Sequence, residues 1–451
     1  MFERIFKLSE HKTTVKTEVM AGITTFMTMA YILAVNPSVL GSTGMDTTAV
    51  LLATALASCL GTLCMAFMAN LPFALSAGMG LNAFMAYTVV AGYGYSWQVA
   101  LLAVFIEGLI FIVLSLTNVR EAIFNAIPLT LKKGVSVGIG LFIAFIGLQN
   151  SGLCVDSATL VGIISFPENF HTAGICALLT LIGLFFTAVF YTRKMKGAIL
   201  YGILLTWILG MLCQVTGLYV PTPDAGFYSL FPSWGMTDFS KLGLTFGQCF
   251  NVDFSAVGIV NFIVVIFSFL FVDIFDTLGT LIGVATKAKM LDKDGKLPGI
   301  KPALLADSIA TSAGAILGTS TTTTFVESAS GVAVGGRTGL TALVTGILFL
   351  VSTLFAPIFT AIPSFATAPA LIIVGFYMLG AVTEIDFKDA AEGIPAFICI
   401  IAMPFFYSIS EGIAMGVISY VVINLVTGKK KKVGPVMAVL AVLFILKYIL
   451  M

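Results

Sequence analysis

Charged side chains are scarce in this sequence. Of its 451 residues, 10% are Asp, Glu, Lys or Arg, whereas 59% are hydrophobic. A soluble domain carries about 25% charged residues, because its surface must face water. The scarcity therefore excludes an ordinary soluble fold and indicates a chain surrounded mostly by lipid.

Motifs for metal binding and catalysis are also missing. The seven cysteines show no CxxC spacing, which argues against a zinc site or a disulfide framework. The predicted membrane segments contain no HExxH arrangement. We therefore expect no metal, no cofactor and no enzymatic activity, and the formal net charge of +1 gives no reason to expect a nucleic-acid partner.

Long apolar runs fill most of the chain. A membrane-spanning helix needs roughly 20 mostly apolar residues, and the runs predict about fourteen such segments, seven in each half. Because seven is odd, the second half would enter the membrane inverted relative to the first, as in many secondary transporters. The prediction is an all-α polytopic membrane protein with two inverted repeats. Its parts are an N-terminal segment (1–17), a first repeat (18–219), an extracellular loop (220–253), a second repeat (254–428) and a basic, then apolar C-terminal segment (429–451).

Basic residues are distributed unevenly among the predicted loops. With the N-terminus in the cytoplasm, the long outer loop contains only Lys241, whereas the inner loops are basic, which is the positive-inside pattern. We expect a multi-pass protein of the plasma (inner) membrane with both termini in the cytoplasm. Residues 433–451 could form an interfacial helix or a further span. The inner basic residues are Arg120, Lys132, Lys133, Arg193, Lys194, Lys196, Lys287, Lys289, Lys293, Lys296, Lys301, Arg337 and Lys429 to Lys432.

Two predicted spans, 79–93 and 324–334, are short and are preceded by Gly-, Ser- and Thr-rich sequence. Residues 76–84 read SAGMGLNAF and residues 319–331 read TSTTTTFVESASG. Paired interrupted segments of this kind mark the binding site of inverted-repeat transporters. We predict two half-helices, each preceded by extended backbone, with N-terminal N–H groups available to a ligand near the membrane midplane. The alternative is a pair of surface loops.

Acidic residues inside the predicted spans are candidates for function. A charged side chain there costs about 2.5–3.5 kcal/mol on insertion scales, yet Asp273 and Asp276 share one helix face and Glu327 lies in the second short segment. The alternatives are helix–helix hydrogen bonds for the two aspartates and a loop end for Glu327. Glu107 is better explained by a structural hydrogen bond between helices, and Asp307 by a helix cap or a pair with Ser or Lys.

Several motifs resemble those of one transporter family, in the same order. The sequence is similar to the AzgA-like purine permeases of the nucleobase–cation symporter and nucleobase–ascorbate transporter group over nearly its whole length. The motifs are AGITTFMTMAYI at 21–32, NP at 36–37, GMGLNAF at 78–84, DIFDTLGT at 273–280 and SASGV at 328–332.

The resemblance implies import of hypoxanthine or guanine, with adenine as a further candidate, by cation symport. The implied fold has a core domain (18–117 and 254–360) and a gate domain (134–219 and 368–428). It also implies that the substrate binds against Asp273 and Glu327, with Asn82 on the facing wall.

The chemistry of a purine suggests further site residues. A carboxylate accepts the N–H bonds of a base strongly. Candidates for covering its ring, with Thr25 beside them, are Phe26, Phe84, Phe271 and Phe325, for which the alternative is packing against lipid or the core. Gly80 would let the backbone approach the ligand closely. For cation coupling the candidates are Asp276, Asp273 and Glu327, with a proton expected ahead of sodium. Alternatives are a carrier of the same fold for uracil, xanthine or an anion, and a channel, and the protein could act as a monomer or a homodimer.

Overall fold

The computed structural model describes residues 2–117, 119, 127–157, 160–222, 226–232, 235–253, 257–287, 290 and 297–450. Four of the basic residues assigned to the inner side lie outside the described residues, namely Arg120, Lys289, Lys293 and Lys296. Residues 1, 254 and 451, at three of the predicted segment limits, also lie outside them.

The first half of the chain is almost entirely helical. The helices are α1 (Phe2–Phe6), α2 (Val15–Met29), α3 (Ile32–Gly41), α4 (Thr47–Cys64), α5 (Met79–Ala83), α6 (Trp97–Leu116), α7 (Leu129–Asn150), α8 (Ile175–Thr192) and α9 (Ala198–Val215). Stretches of π-helix adjoin α4, α5 and α8 at Met65–Ala69, Phe84–Gly92 and Phe170–Gly174. The strands are β1 (Leu75–Ala77), β2 (Cys154–Ser157) and β3 (Leu160–Ile163), of which β2 and β3 form an antiparallel hairpin.

The second half of the chain is also mostly helical. The helices are α10 (Ile259–Lys287), α11 (Ile300–Leu317), α12 (Ser328–Val334), α13 (Gly339–Ser352), α14 (Ala356–Thr360), α15 (Ser364–Leu379), α16 (Ala390–Phe405), α17 (Ile409–Val426) and α18 (Pro435–Leu450). One strand, β4 (Thr322–Thr324), precedes α12. Short 3-10 helices occupy Phe239–Leu244, Gln248–Phe250, Thr353–Phe355, Gly380–Glu384 and Lys430–Lys432.

Helix length and composition support a multi-pass membrane protein. Among the described residues, 11 helices are long and apolar enough to cross a bilayer, and three shorter apolar helices are Met79–Gly92, Ala390–Phe405 and Pro435–Ile449. The predicted number of fourteen spans and the inverted repeat stay predictions.

Polar side chains set where several helices begin. At the starts of α2, α4 and α6, the side chains of Thr14, Asp46 and Ser96 each accept a hydrogen bond from the backbone N–H three residues later. Helix α7 begins at Leu129, directly after Pro128. Lys132 and Lys133 therefore lie near the start of a helix. The sequence analysis had placed both residues in the preceding loop.

The long helices pack in two groups. In one, α6 packs on α10 and α11, α4 on α11 and α13, and α2 on α12 and α13. In the other, α15 packs on α7, α8 and α9, and α16 packs on α7 and α17. The first group falls in the ranges predicted as core and the second in those predicted as gate, although the division into two moving domains remains a prediction.

Hydrogen bonds join the two groups. The amide of Asn150 at the end of α7 donates to the hydroxyl of Tyr87 in the π-helical stretch after α5, at 2.8 Å. The hydroxyls of Ser268 on α10 and Ser410 on α17 lie 2.8 Å apart. These contacts hold the groups together in the conformation described.

The C-terminal helix packs against both groups rather than projecting from them. Phe444 on α18 contacts Phe267 and Phe271 on α10. Lys447, which is 6% exposed, pairs with the carboxylate of Glu411 in the first turn of α17. Because the end of α18 meets the beginning of α17, the two helices run antiparallel.

Candidate functional site

Two short strands meet where the short segments were predicted. Residues Leu75–Ala77 pair antiparallel with Thr322–Thr324, so that Ser76 lies opposite Thr323. One further backbone bond extends the ladder, from the N–H of Gly78 to the carbonyl of Thr321 at 3.0 Å. The expected extended backbone therefore precedes both short helices, α5 and α12, and it brings their starting points together.

Hydroxyl groups from neighbouring helices satisfy this non-helical backbone. Thr62 on α4 accepts from the N–H of Leu75 at 3.0 Å, and Thr311 on α11 donates to the carbonyl of Thr322 at 3.0 Å. All four residues are buried. Backbone that leaves the helix inside a membrane requires such partners, which explains why Ser and Thr are common around this junction.

The start of α12 differs from the prediction. The N–H groups of Ser328, Ala329 and Ser330 already donate to the carbonyls three residues earlier, at 2.9–3.1 Å. Residues 325–327 form a tight turn that uses these donors. The expectation that the first amides of α12 are available to a ligand is therefore wrong for this conformation, and side chains must provide most of the recognition at that end.

Glu327 stands at the beginning of α12 and is half-buried. Its Oε1 accepts a hydrogen bond of 2.8 Å from the hydroxyl of Tyr31, which lies between α2 and α3. Its side chain makes no capping bond to the helix that follows. The carboxylate therefore does not cap α12, and the residue is partly accessible.

Asp276 on α10 is the second accessible carboxylate. It is half-buried, and its Oδ2 accepts from the hydroxyl of Thr323 on β4 at 3.2 Å. It lies close enough to Glu327 and Asp307 to interact with both electrostatically. Two predicted site acids, one on α10 and one at the start of α12, thus lie within electrostatic range of each other near the strand junction.

Asp273 has different surroundings although it shares a helix face with Asp276. It is fully buried, and its Oδ1 lies 2.9 Å from the hydroxyl of Thr277, which also lies 3.0 Å from Oδ1 of Asp307 on α11. Asp307 thus accepts a hydrogen bond from a threonine on the neighbouring helix α10. In this conformation Asp273 faces the contact between α10 and α11.

Asn82 and Glu107 hold the segment that leads into β4. The hydroxyl of Ser320 donates to Oδ1 of Asn82, and the hydroxyl of Thr321 donates to Oε2 of Glu107 at 2.8 Å. Both acceptors are fully buried. Glu107 therefore makes a structural hydrogen bond, although its partner Thr321 lies in the extended segment before β4 and not on a helix as predicted. Asn82 connects the first short helix to the second short segment.

The aromatic candidates pack mainly against other helices. Phe84 is fully buried, with its ring edge-to-face against Phe269 on α10 at 4.8 Å between centroids. Phe26 is half-buried and meets Phe349 on α13 in the same way at 5.3 Å. Phe325, two residues before Glu327, is 5% exposed. Their role in covering a purine ring stays a prediction.

Thr25 faces α12. It is fully buried on α2, and a Cβ added at Gly331 would lie 2.1 Å from its hydroxyl oxygen. This close approach brings α2 against the helix that begins with Glu327. Thr25 therefore supports the wall of the site in this conformation.

Two glycines of the first short segment have different neighbours. A Cβ at Gly78 would lie 2.9 Å from the Thr323 hydroxyl and 3.1 Å from Oδ2 of Asp276. A Cβ at Gly80 would instead meet Ile139 on α7 at 3.1 Å and Ile409 on α17 at 3.3 Å. The close approach at the acids thus involves Gly78, which the sequence did not single out, whereas Gly80 lies against the second helix group.

The structure therefore gathers Glu327, Asp276, Asn82 and the two strands at one junction and places Asp273 behind it. Sequence reasoning missed Tyr31 and Thr323 as partners of the accessible acids. Tyr31 was part of the AGITTFMTMAYI motif and Thr323 part of a threonine run, but neither pattern identifies which hydroxyl meets a carboxylate.

Comparison with known proteins gives a family for this arrangement. A family model described as "Permease family", Xan_ur_permease, matches residues 16–415. The chain belongs to that family. A Xan_ur_permease chain with 11 candidate spans is a membrane transport protein and not an enzyme.

Several relatives of this chain are named as purine permeases. The chain is 45% identical to the guanine/hypoxanthine permease PbuG of Bacillus subtilis, over 98% of each chain. It is 42% identical to the adenine permease AdeP of Escherichia coli, over 100% of this chain and 96% of that one. The close homologues of this chain therefore include permeases named for purine bases, as the sequence motifs led us to expect.

A solved structure shows the same fold at low sequence identity. The transmembrane domain of the cyanobacterial bicarbonate transporter BicA superposes with a TM-score of 0.62 at 15% identity, over 89% of this chain and 97% of that one. At this identity the likeness concerns the fold alone.

Proposed function

We propose that this protein is a secondary active importer of purine nucleobases, hypoxanthine or guanine and also adenine as a candidate, driven by cation symport. It would act in the plasma (inner) membrane, as a monomer or a homodimer, with its N-terminus in the cytoplasm. The proposal combines the purine names of its relatives with the chemistry of the strand junction.

The observation that carries the proposal is the position of Glu327 and Asp276 beside the strand junction from which the two short helices start. Both are half-buried, whereas the residues that donate to them, Tyr31 and Thr323, are buried. Within the described residues neither acid forms an ion pair with a basic side chain, so both are suited to accept hydrogen bonds from a ligand.

A purine base matches this set of groups. Its ring N–H groups donate, and a carboxylate accepts such bonds roughly twice as strongly as a neutral acceptor does. A site built from acids disfavours an anion, which would meet like charge rather than a cation. We therefore propose that Glu327 accepts an N–H of the base and that Asn82 lies on the facing wall, with Phe26, Phe84, Phe325, Thr25 and Gly80 around it.

The roles of the two aspartates remain to be separated. Asp273 is the predicted substrate ligand, but reaching a substrate would require it to release Thr277 or to act through it. Asp276 is the predicted coupling group, and it lies beside Glu327 in accessible space. Two nearby carboxylates in a low-dielectric site resist simultaneous ionisation, so one of them can take up a proton with the substrate and release it on the other side.

Transport would proceed by alternating access between the two helix groups. The site lies on the first group, next to α7 and α17 of the second. Movement of one group past the other would expose the strand junction first to one side and then to the other, as in inverted-repeat transporters.

The test is uptake of labelled hypoxanthine by cells that lack their own purine permeases. Expression of this protein should give saturable uptake that an uncoupler abolishes if the cation is a proton. Persistence of uptake with the uncoupler and its dependence on sodium would assign sodium instead. A competition panel of unlabelled hypoxanthine, guanine, adenine, xanthine and uracil ranks the substrates, and competition by uracil or xanthine alone would favour the second candidate, a carrier of the same fold for those bases.

A further inference from the structure

Tyr31 brings a polar group to the site from an otherwise apolar position. It lies at the junction of α2 and α3, is 1% exposed and belongs to the main hydrophobic core. Its hydroxyl nevertheless reaches Oε1 of Glu327 at 2.8 Å. It also lies within electrostatic range of Asp276. The phenol thus connects the break between two helices to the accessible acids.

Glu327 needs an external partner to hold one orientation. Its side chain makes no capping bond to α12, and a glutamate side chain loses much of its rotamer freedom when it is fixed. A tyrosine ring has only two rotatable side-chain bonds and is held here by burial on all sides. A rigid donor of this kind can order a mobile carboxylate before the ligand arrives, which lowers the cost of binding.

The helix that precedes Tyr31 is itself fixed to the helix that follows Glu327. The hydroxyl oxygens of Thr28 on α2 and Ser330 on α12 lie 2.8 Å apart. The hydroxyl of Ser330 also lies 2.7 Å from the carbonyl of Glu327. Tyr31 and Glu327 are therefore held at a constant separation by a second polar contact one turn away on each helix.

We propose that Tyr31 is a positioning residue for purine binding: its hydroxyl holds the Glu327 carboxylate in the orientation that accepts an N–H group of the base. A carboxylate offers about four acceptor positions, and Tyr31 occupies one of them. The remaining positions serve the ligand. This role rests on the proposed function, because it assumes that Glu327 binds a purine.

A double-mutant cycle separates this role from simple packing. Hypoxanthine binding to purified protein is measured for the unaltered chain, Tyr31→Phe, Glu327→Gln and the double variant. Tyr31→Phe keeps the ring and removes the hydroxyl, so it should weaken binding about tenfold when Glu327 is present, the effect of one bond to a charged group. In the Glu327→Gln background the further loss should be less than about twofold. An equal loss in both backgrounds would overturn the positioning role.

Tyr420 provides a matched control. Its hydroxyl also donates to a glutamate, Glu392, at 3.3 Å, but this pair joins α17 to α16 away from the strand junction. Tyr420→Phe should leave the affinity for hypoxanthine unchanged. A tenfold loss in this variant would show that removing any tyrosine–glutamate bond disturbs binding, which would also overturn the assignment.

A second readout needs no purine. A hydrophobic carbodiimide modifies carboxyl groups in their protonated form, and peptide mass spectrometry reports the fraction of Glu327 that has reacted. Loss of the Tyr31 donor destabilises the carboxylate form, so Tyr31→Phe should increase modification of Glu327 several-fold, whereas Tyr420→Phe should not. Unchanged modification would overturn the role of Tyr31. Failure of the unaltered protein to bind any purine would instead overturn the proposed function and leave the Tyr31–Glu327 result intact.

Discussion

The hydroxyl of Thr323 lies 3.2 Å from Oδ2 of Asp276, and this contact joins the second short strand to the long helix α10. The backbone of Gly78 passes both groups so closely that a side chain there would touch them. One acid, one hydroxyl and one glycine thus come from three separate parts of the chain. Because these groups lie so close together, a small change in any one of them should disturb the other two.

Gly78→Ala should reduce uptake roughly tenfold. The added Cβ would lie 2.9 Å from the Thr323 hydroxyl and 3.1 Å from Oδ2 of Asp276, so the contact between them must shift. Inserting one extra carbon atom in a tight site costs about 1–3 kcal/mol. The measurement is hypoxanthine uptake normalised to protein in the membrane. Gly243→Ala is the control, since nothing lies within 4 Å of its added Cβ. Normal uptake by Gly78→Ala would mean that the junction is not part of the transport path.

Glu327→Gln and Asp273→Asn should both weaken purine binding. Each change keeps the shape and removes the charge, and losing a charge-assisted hydrogen bond to a desolvated ligand costs roughly 1.5–3 kcal/mol, or about ten- to more than a hundredfold in affinity. Equilibrium binding of labelled hypoxanthine measures this. Glu384→Gln, at a surface pair with Lys133, is the control and should bind normally. Near-normal affinity in both site variants would rule out the proposed site.

The thermal stability of the same two variants separates their roles. Asp273 is fully buried and hydrogen-bonded to Thr277, whereas Glu327 is half-buried. If Asp273 acts by holding α10 to α11, Asp273→Asn should lower the melting temperature of purified protein more than Glu327→Gln does. A large loss of affinity with unchanged melting temperature would instead favour direct contact of Asp273 with the substrate.

The short helices and the accessible acids could be located from the sequence because polar residues are costly inside a membrane. A carboxylate in an apolar run costs energy, so its presence indicates a functional or structural role. A Thr-rich run at that depth is incompatible with a lipid-facing helix. Glu327 and Asp276 could therefore each be identified as a candidate from its own position in the sequence. The pairing of β1 with β4 was not, because strands of three residues carry no pattern that specifies a partner.

Other features depend on distances that no local pattern encodes. Tyr31 was missed because a tyrosine in an apolar run is equally compatible with packing, and its partner Glu327 is nearly 300 positions away. Gly80 was identified as a glycine of close approach, but its neighbours proved to be Ile139 and Ile409. The amides of α12 were expected to be available, and only the turn at 325–327 shows that they are used.

Gly80→Val should abolish uptake in protein that still reaches the membrane. Its Cβ would lie 3.1 Å from Ile139 and 3.3 Å from Ile409, both on the second helix group, and valine adds two further methyl groups. Because these neighbours belong to the group that must move, we expect the rate of transport to fall while equilibrium binding of hypoxanthine changes less. Loss of binding equal to the loss of uptake would favour contact of Gly80 with the ligand. Normal transport would mean that the contacts of Gly80 with α7 and α17 do not limit movement of the second helix group.

Asp276→Asn should uncouple transport from the cation. Asp276 lies beside Glu327 in accessible space and accepts a hydrogen bond from Thr323. An asparagine can still accept that bond but cannot take up a proton. The variant should lose accumulation of hypoxanthine against its gradient and its response to an uncoupler.

Exchange of internal for external base should persist in Asp276→Asn, because exchange does not require the empty carrier to return. The measurement uses proteoliposomes loaded with unlabelled hypoxanthine and supplied with labelled hypoxanthine outside, with and without an imposed proton gradient. Asp386→Asn, on the exposed surface between α15 and α16, is the matched control and should accumulate substrate normally. The structural alternative is that Asp276 only anchors β4 through Thr323, in which case Asp276→Asn would reduce exchange and accumulation by the same factor. Continued accumulation with a normal uncoupler response would remove Asp276 from the coupling step and leave Asp273 and Glu327 as the remaining groups able to carry the proton.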